Sequence, residues 1–401
     1  MISLFKNYYY YPDNNMVTNG IVPDELILTQ KKQKNANSII SKFGRYTSQF
    51  MIMPTYNCNM LCEYCFAESN NNRYNMSKET ADKIIHEIRV NELLRKTILQ
   101  DDYTTEVHFT GGGEPTYNME ILKYIVESLT DISGHIKYTI QTNGLMNKET
   151  LDYLIKCFEM ISISFDFYMQ DSARKTANGE MSSKLILSII EKLKDYSGFL
   201  QLRCCVCDDN IGKLYNIVDK FLYEHSYIDR VQLEPINLYA GRAANSSLRT
   251  PDTDDFVQCY TKLKDKYTER IICSLDKHQR TDSFCGIING KIPVYLPSGN
   301  ISRCQEIDDY SDINNVEICN KKDIIVYNHK KEKPDKCMKC YLYNICAGGC
   351  RNRIYKDHAG NMSSEGEYFC NITKKIFLEN IKRIIITSPD MTIDGVSIWK
   401  Y

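Results

Sequence analysis

The sequence predicts an α/β protein, built as a partial (β/α)6 TIM-like barrel followed by a small cysteine-rich domain. Short apolar runs alternate with amphipathic stretches through about the first 250 residues, which is typical of parallel β/α units. Six such units are too few for a complete eight-stranded barrel. Beyond residue 250 the alternation fades, and seven cysteines lie between residues 285 and 370, which indicates a second domain.

The predicted barrel elements follow from apolar spacing. Strands are predicted at 50–53, 106–110, 136–140, 160–165, 200–206 and 229–234. Ser77 is an N-cap candidate for the first helix, because apolar residues then recur at helical spacing from Ala81 to Leu93. Later helices are predicted near 121–129, 148–157, 182–195 and 211–223.

Composition suggests four parts of the chain. Residues 1–48 are polar and Tyr-rich and are interpreted as an N-terminal extension that lies along the surface. The barrel is predicted over 49–250 and the cysteine-rich domain over 251–375. The last part, 376–401, is predicted to begin as a helix and to end as a polar tail.

Charge and hydropathy exclude several classes of protein. Lys and Arg number 50 and Asp and Glu 51, so the net charge is −1 and no basic footprint for nucleic acid is expected. No apolar run approaches the length of a membrane-spanning helix, and residues 1–6 lack the apolar core of a signal peptide. We therefore expect a cytoplasmic protein that binds neither nucleic acid nor membrane.

Seventeen cysteines without an export signal indicate metal ligands rather than disulfides. Cys58, Cys62 and Cys65 form a C-x3-C-x2-C loop after the first strand, with Tyr64 directly before the last cysteine. Iron–sulfur clusters normally take four cysteines, so three thiolates on one loop would leave one iron of a cubane open. Half of a zinc site, or chance in a cysteine-rich chain, are the alternatives.

A second series of cysteines occupies the C-terminal part. Cys285 and Cys304 precede a C-x2-C-x5-C-x3-C block that runs from Cys337 to Cys350, and Cys370 follows. The block alone would also suit a zinc site.

Together the two series resemble the radical S-adenosylmethionine (SAM) enzymes that carry a SPASM extension, across nearly all of residues 50–375. The resemblance implies that an open iron binds SAM, whose cleavage yields a 5′-deoxyadenosyl radical. Gly111, Gly112, Gly113 and Glu114 follow the second strand and look like the family's Gly-Gly-Glu-Pro motif. In that family the glutamate accepts the SAM ammonium, so Glu114 is predicted to do so.

The resemblance implies further SAM contacts at the strand ends. They are Tyr64, Gln141, Asn143, Ser164, Asp166 and Arg174. Arg174 lies where relatives often place an arginine that pairs with the SAM carboxylate, for which bidentate geometry is suited. Many relatives have Ser-x-Asp-Gly here, and their Ser and Asp lie close to the ribose or substrate, so Ser164 and Asp166 are expected to do the same. This chain departs from that pattern, because it has Phe167 where Gly is usual.

Three [4Fe–4S] clusters are implied by the same resemblance. Cys58, Cys62 and Cys65 would hold the catalytic cluster. Cys337, Cys340, Cys346 and Cys370 would hold a distal auxiliary cluster. Cys285, Cys304 and Cys350 would hold a proximal one. Its fourth ligand is predicted to be a substrate cysteine, with closure by Cys259, Cys273 or Cys319 as the alternative.

The implied function is modification of a peptide or protein, with a thioether or carbon–carbon cross-link as product. Maturation of a sulfatase to formylglycine is the alternative, but those relatives place Asp after the second SPASM cysteine, where this chain has Gln305. Glu306 or Asp308 would then have to substitute for it. A non-catalytic iron–sulfur or zinc protein is the remaining class. The expected electron donor is a flavodoxin or ferredoxin, and no catalytic acid or base is identified.

Overall fold

The computed structural model describes most of the chain. The described residues are 1–5, 7–12, 15–21, 46–67, 74–99, 103–238, 240–281, 283–287, 291–302, 304–306, 317–321, 324–328, 335–350, 364–387, 391–393 and 396–400. They form two compact units. The barrel unit comprises 46–273 and 286–330, and the cysteine-rich unit comprises 1–45, 274–285 and 331–401.

Six parallel strands form the centre of the barrel unit, as predicted. They are β1 (Gln49–Ile52), β2 (Thr105–Phe109), β3 (Ile136–Thr142), β4 (Met160–Ser164), β5 (Phe199–Val206) and β6 (Arg230–Pro235). Each strand pairs in parallel with the next one in this series. The predicted partial TIM-like barrel is therefore confirmed.

A helix follows each strand. These are α1 (Lys78–Leu99), α2 (Met119–Ser128), α3 (Lys148–Cys157), α4 (Ser183–Lys192), α5 (Asp208–Glu224) and α6 (Thr253–Tyr267). The predicted cap is present, since the Thr80 amide donates to the Ser77 hydroxyl at 3.1 Å. Helix α6 extends the alternation past residue 250, where the sequence suggested that it fades. The helix is mostly polar, and only a short stripe that includes Phe256 and Tyr260 is buried.

The parallel sheet has one apolar and one polar face. Val107, Phe109 and Ile140 are completely buried on the apolar face. On the polar face, His108 Nδ1 lies 2.7 Å from Thr139 Oγ1, and burial lowers the pKa of His108 to about 4. Burial therefore favours the neutral form of His108.

Further strands extend the sheet at both edges. Ile271–Ile272 pairs in parallel with β6, and Val294–Tyr295 pairs in parallel with β1. Beyond Val294–Tyr295 come Ile301–Ser302, Ile324–Asn328 and Glu317–Lys321, in that order. Cys304 follows the strand Ile301–Ser302 and belongs to the barrel unit. The sequence had placed it in a separate cysteine-rich domain.

The cysteine-rich unit joins both ends of the chain. Its five-stranded antiparallel sheet has the order Ile2–Phe5, Tyr8–Tyr11, Met16–Thr18, Val396–Lys400 and Met391–Ile393. The helix Ser364–Thr387 confirms the predicted C-terminal helix. The polar tail after it, however, forms a strand hairpin.

The N-terminal extension is not the surface extension that its polarity indicated, as far as the described residues show. Tyr10 and Val17 are fully buried in a core with Phe377 and Ile381. The Tyr10 and Phe377 rings meet edge to face, 4.9 Å apart. Tyrosine can enter a core when its hydroxyl is bonded, and Tyr10 donates to Asn15 Oδ1 at 2.9 Å.

Among the described helices, none combines the length and the apolar character that crossing a bilayer requires.

Candidate active site

The cysteine loop follows β1 and brings its three thiols close to one another. Burial, the Glu114 carboxylate and the other two cysteines of the loop together raise the pKa of the Cys58 thiol to about 12. Burial also raises the pKa of Cys62, against the opposing charge of Arg174. Thiolates at such a position need a positively charged partner, and metal binding supplies one while it releases the thiol protons.

The three thiols do not converge on a single point. In the part of the chain that the structure describes, no group of three or more His, Cys, Asp or Glu side chains is arranged to hold a metal ion directly. A cubane cluster spreads its thiolates over separate irons. That these three thiols bind one cubane cluster rather than a single zinc ion stays a prediction.

The Gly-rich turn after β2 packs directly on the cysteine loop. The Glu114 amide donates to the Asn57 carbonyl at 2.8 Å. A Cβ atom at Gly113 would lie 2.2 Å from the same carbonyl oxygen, and one at Gly112 would lie 2.8 Å from the Tyr56 ring. These two glycines are thus required by the contact, and Gly111 begins the turn that makes it.

Glu114 is a buried carboxylate held by donors from neighbouring segments. Its Oε1 accepts from the hydroxyls of Thr142, at 2.6 Å, and Thr116, at 2.8 Å. Its Oε2 accepts from the Asn143 amide at 2.7 Å. Burial raises the pKa of Glu114, although these hydrogen bonds oppose the rise. Each carboxylate oxygen has two lone pairs, so Oε2 retains acceptor capacity for the predicted SAM ammonium.

The end of β3 is tied to the cysteine loop. The Asn143 side-chain amide donates to Asn59 Oδ1 at 2.7 Å and lies 3.7 Å from Cys58 Sγ. Gln141 lies two residues earlier on the same strand, in register with Ser162, and is partly exposed. The structure thus places Asn143 at the thiols and Gln141 farther along the strand.

Tyr64, Asp166 and Arg174 form a buried network beside Cys62. The Tyr64 hydroxyl donates to Asp166 Oδ2, and Arg174 Nη1 donates to the Tyr64 oxygen at 2.9 Å. Arg174–Thr176 pairs antiparallel with Met60–Cys62, which sets Arg174 opposite Cys62. Arg174 Nε is buried and has no hydrogen-bond partner among the described residues. An incoming carboxylate, such as that of SAM, would satisfy this donor.

Asp166 and Ser164 lie at the end of β4, as predicted. Asp166 Oδ1 accepts the Cys205 amide at 2.8 Å, so this carboxylate joins β4, β5 and the cysteine loop. Ser164 is half-buried and in register with Arg203. Asp166 has protein partners on both oxygens, which gives it a role in orienting Tyr64 that the sequence did not indicate.

Phe167 stands where the resemblance leads us to expect Gly, and its surroundings show why a phenylalanine is accommodated. Its φ of 50° lies in the left-handed region that favours glycine. Its ring is 5.2 Å from those of both Phe165 and Phe221 in edge-to-face geometry. Aromatic packing therefore offsets the backbone cost, and the strand end keeps the conformation that a glycine would adopt.

Five cysteines of the second series line one cavity of the cysteine-rich unit. They are Cys337, Cys340, Cys346, Cys350 and Cys370. The remaining wall is largely apolar and includes Leu275, Phe284 and Phe369. Burial raises the pKa of Cys346 to about 12, and the thiols of Cys337, Cys340 and Cys370 add to the rise. These four, without Cys350, are the predicted distal set.

The predicted proximal set is divided between the units. Cys285 and Cys350 belong to the cysteine-rich unit and Cys304 to the barrel unit, so their convergence on one cluster stays a prediction. Cys304 follows Ile301–Ser302, and the Glu306 amide lies 3.4 Å from its sulfur. Gln305 is half-buried beside it.

The three alternative fourth ligands differ in position. Cys259 lies on the buried side of α6 and is an electrostatic neighbour of Cys204 on β5. Cys273 is buried directly after Ile271–Ile272. The side chain of Cys319 and the whole of Asp308 lie outside the described residues.

One set of contacts was missed by sequence reasoning. The loop after β6 approaches the cysteine loop, and Arg242 Nε donates to the Cys62 carbonyl at 3.1 Å. A Gly-Arg pair soon after the sixth strand is the only sequence signal, and it is too short to be specific.

A fold and a site of this kind define a radical SAM enzyme, and comparison supports that class directly. Residues 52–206, which contain the cysteine loop, the Gly-rich turn and strands β2 to β5, match the family model of the radical SAM superfamily. Residues 52–206 are therefore a radical SAM domain, whose cofactors are SAM and a [4Fe–4S] cluster. That Cys58, Cys62 and Cys65 hold this cluster stays a prediction.

Relatives and solved structures extend the likeness beyond the barrel. The radical SAM cyclopropyl synthase TigE of Paramaledivibacter caminithermalis is 23% identical over 85% of this chain and 75% of its own length. The cysteine-type anaerobic sulfatase-maturating enzyme of Clostridium perfringens is 21% identical, over 82% of this chain and 94% of its own.

Two solved structures share the fold. A structure of anSMEcpe with bound AdoMet and the Cp18Cys peptide superposes with a TM-score of 0.60, at 18% identity, over 84% of this chain and 98% of that chain. The structure of Streptococcus suis SuiB bound to precursor peptide SuiA superposes with a TM-score of 0.59, at 16% identity, over 87% of this chain and 82% of that chain. The chain is therefore structurally similar to SPASM peptide-modifying maturases, including in its cysteine-rich C-terminal region.

Proposed function

We propose that this radical SAM enzyme is a peptide maturase with two auxiliary [4Fe–4S] clusters, and that it forms a thioether or carbon–carbon cross-link in a ribosomally made peptide. The observation that carries the proposal is the cavity in which Cys337, Cys340, Cys346 and Cys370 meet. A SAM-cleaving enzyme does not need a second four-cysteine site for SAM cleavage itself, and this site is built into a unit of its own.

Cross-linking explains the use of auxiliary clusters. When a new bond replaces two hydrogen atoms of a peptide, one hydrogen leaves as an atom and the other as a proton and an electron. The electron needs an acceptor, and a cluster fully ligated in an apolar cavity suits electron storage. The titles of the SuiB and anSMEcpe structures each name a bound peptide, and TigE is named as a cyclopropyl synthase. They support the same substrate class for this chain.

The residues of the barrel unit have defined tasks in this reaction. Bound together, SAM and the cluster supply the 5′-deoxyadenosyl radical that abstracts hydrogen. Cys58, Cys62 and Cys65 would hold the cluster, Glu114 would accept the SAM ammonium, and Arg174 would pair with the SAM carboxylate. Tyr64 and Asp166 orient Arg174, while the buried Gly-rich turn excludes water from the thiols.

The experiment is anaerobic reconstitution followed by incubation with SAM, a reductant and short peptides encoded beside the gene. Three clusters would give about twelve irons per chain. Mass spectrometry should then show a peptide that has lost two hydrogen atoms. Zinc in place of iron, or a peptide left unmodified while SAM is cleaved, would contradict the proposal.

Sulfatase maturation is the second candidate, because the fold is similar to that of anSMEcpe and because Glu306 lies next to Cys304. Gln305 is an amide and cannot serve as the base found after the second cysteine in those relatives. Glu306 is adjacent, and its amide lies at the Cys304 sulfur. If this candidate holds, a sulfatase peptide will exchange its cysteine thiol for an aldehyde, and Glu306→Gln will abolish that product. Wild-type enzyme without the aldehyde product excludes it.

A further inference from the structure

The segment 240–248, which we call the clasp, contacts the cysteine loop at its ligand residues. Arg242 Nε donates to the Cys62 carbonyl at 3.1 Å, and the Ala243 amide donates to the Cys65 carbonyl at 3.4 Å. Two of the three cluster cysteines are therefore held through their backbones by residues that follow the sixth strand, about 180 positions later in the chain.

A second contact involves the residue between these cysteines. Glu63 Oε1 accepts from the Ser246 hydroxyl at 2.7 Å and from the Ser247 amide at 3.2 Å. The clasp therefore places the Arg242 guanidinium at the Cys62 carbonyl and orients the Glu63 carboxylate, which belongs to the residue next to Cys62. Both charges are held by hydrogen bonds, so each has a defined position relative to the loop.

The clasp lies against the cysteine loop without space between them. Gly241 has a φ of +58°, and a Cβ atom there would lie 2.5 Å from the Cys65 carbonyl oxygen and 2.4 Å from that of Phe66. Glycine is the residue that tolerates both the conformation and the contact. This close approach is what allows the next residue, Arg242, to reach Cys62.

The charges of Arg242 in the clasp and Glu63 in the cysteine loop would act on the cluster through electrostatics. Accepting an electron makes a cluster more negative, so a nearby cation favours the reduced form and a nearby anion disfavours it. The hydrogen bond from Arg242 to the Cys62 carbonyl holds the positive charge of the guanidinium next to this residue. The guanidinium is only half-buried, so solvent weakens the effect without removing it.

We propose that Arg242 is a positioning residue that fixes the Cys62–Cys65 turn and makes the catalytic cluster easier to reduce, and that Glu63 acts in the opposite direction. Electron entry precedes any reaction with a peptide, so this inference is independent of the cross-link proposed above. It concerns the radical SAM step alone.

The test is a redox titration of the reconstituted enzyme with SAM present. The SAM-dependent part of the electron paramagnetic resonance signal reports the catalytic cluster separately from auxiliary clusters. With Arg242→Gln, the ratio of reduced to oxidised catalytic cluster at a fixed potential should fall about tenfold, which is 59 mV for a one-electron couple. Arg242→Lys keeps the positive charge, so in this variant the ratio of reduced to oxidised cluster should fall less.

Two further variants complete the test. Arg249→Gln removes an exposed charge of nearby sequence and should leave the ratio unchanged. Glu63→Gln keeps an oxygen that accepts from Ser246 but loses the charge, so the ratio should rise. If the clasp only supported the fold, Arg242→Gln and Glu63→Gln would not shift the ratio of reduced to oxidised cluster in opposite directions.

The proposal is overturned if Arg242→Gln titrates as the wild type does, or if Arg249→Gln shifts equally. Should Arg242→Gln lose its iron, Glu63→Gln decides alone, and a ratio that stays constant or falls overturns the proposal. Production of 5′-deoxyadenosine without peptide, measured at limiting reductant, should follow the same order as the ratios.

Discussion

The cysteine loop of the barrel unit and the four-cysteine cavity of the cysteine-rich unit differ in ligand number and in surroundings. The loop brings three thiols together among buried charged side chains, namely Glu114, Asp166 and Arg174. The cavity brings four thiols together among Leu275, Phe284 and Phe369, and Lys277 is the cation whose charge is felt at Cys346.

This difference separates two kinds of metal chemistry. Three thiols leave a coordination position, and buried charges with remaining hydrogen-bonding capacity can recognise a zwitterion there. The proposed electron storage requires that four thiols of the cavity bind one cluster and leave no iron open to a small molecule. Five predictions test this comparison of the two regions.

The largest effect is expected from removal of the loop thiols. Changing Cys58, Cys62 and Cys65 to Ala should abolish reductive SAM cleavage, because no cluster remains to deliver the electron. Iron of the auxiliary sites should stay bound. The measurements are chromatography of 5′-deoxyadenosine and iron analysis. Continued formation of 5′-deoxyadenosine would show that the loop is not the catalytic site.

The reciprocal change addresses the cavity. Cys346→Ser should remove about one cluster equivalent of iron and lower the melting temperature, because metal binding contributes directly to folding. SAM cleavage without peptide should remain. Cys157→Ser, at a cysteine of α3 outside both sites, is the matched control. If the Cys346 variant lost SAM cleavage while it remained folded, the two regions would be coupled.

A third prediction concerns the charges around the loop. Glu114→Gln should weaken SAM binding tenfold to over a hundredfold, since a hydrogen bond to a charged group contributes about 1.5–3 kcal/mol. Iron content should be unchanged. Glu149→Gln, whose side chain is 82% exposed, is the control. Equal SAM affinity in the Glu114 variant and the wild type would refute the assignment.

The pH dependence of the same contact has a defined sign. The ammonium is attracted by the carboxylate and not by the carboxylic acid. Because burial raises the pKa of Glu114, protonation begins at a higher pH than for an exposed glutamate. SAM affinity should therefore decline as the pH falls toward this raised pKa, and the decline should be absent in Glu114→Gln. Isothermal titration at several pH values measures it.

The smallest effect is expected at Phe167, at the edge of the charged region. Phe167→Gly loses the contacts with Phe165 and Phe221 but relieves the left-handed backbone, so it should be less stable than the wild type. Phe167→Ala loses the same contacts and keeps the strain, which costs about 1–2 kcal/mol more. Thermal unfolding should rank wild type above Gly above Ala. If Ala were as stable as Gly, the backbone strain would be refuted.

Much of the fold could be predicted because its signals are local. Each barrel strand is a short apolar run, and Ser77 precedes a helix with regular apolar spacing. The cysteine spacing predicted the candidate ligands of the loop and of the C-x2-C-x5-C-x3-C block for the same reason, since residues a few positions apart on a loop lie close together. Position at the carboxyl ends of parallel strands then predicted that Glu114, Asn143 and Asp166 lie near the loop.

The errors occurred where polarity conflicted with burial. Residues 1–18 look polar, yet Tyr10 and Val17 complete a core whose other half lies more than 320 residues later, at Leu342 and Phe377. Helix α6 looked irregular because a narrow stripe of its surface is buried. Neither partner could be identified from one sequence, because contacts between distant segments leave no local pattern.

By itself, then, the sequence determined the class of chemistry, since three cysteines, a Gly-Gly-Glu turn and a second cysteine series are patterns of adjacent residues. The tertiary structure alone decided what surrounds the thiols. It bonded Tyr64 to Asp166 and Arg174, and it brought Arg242 to the Cys62 carbonyl. Electrostatic interactions depend on distance and burial, and chain folding sets both between residues that the sequence keeps far apart.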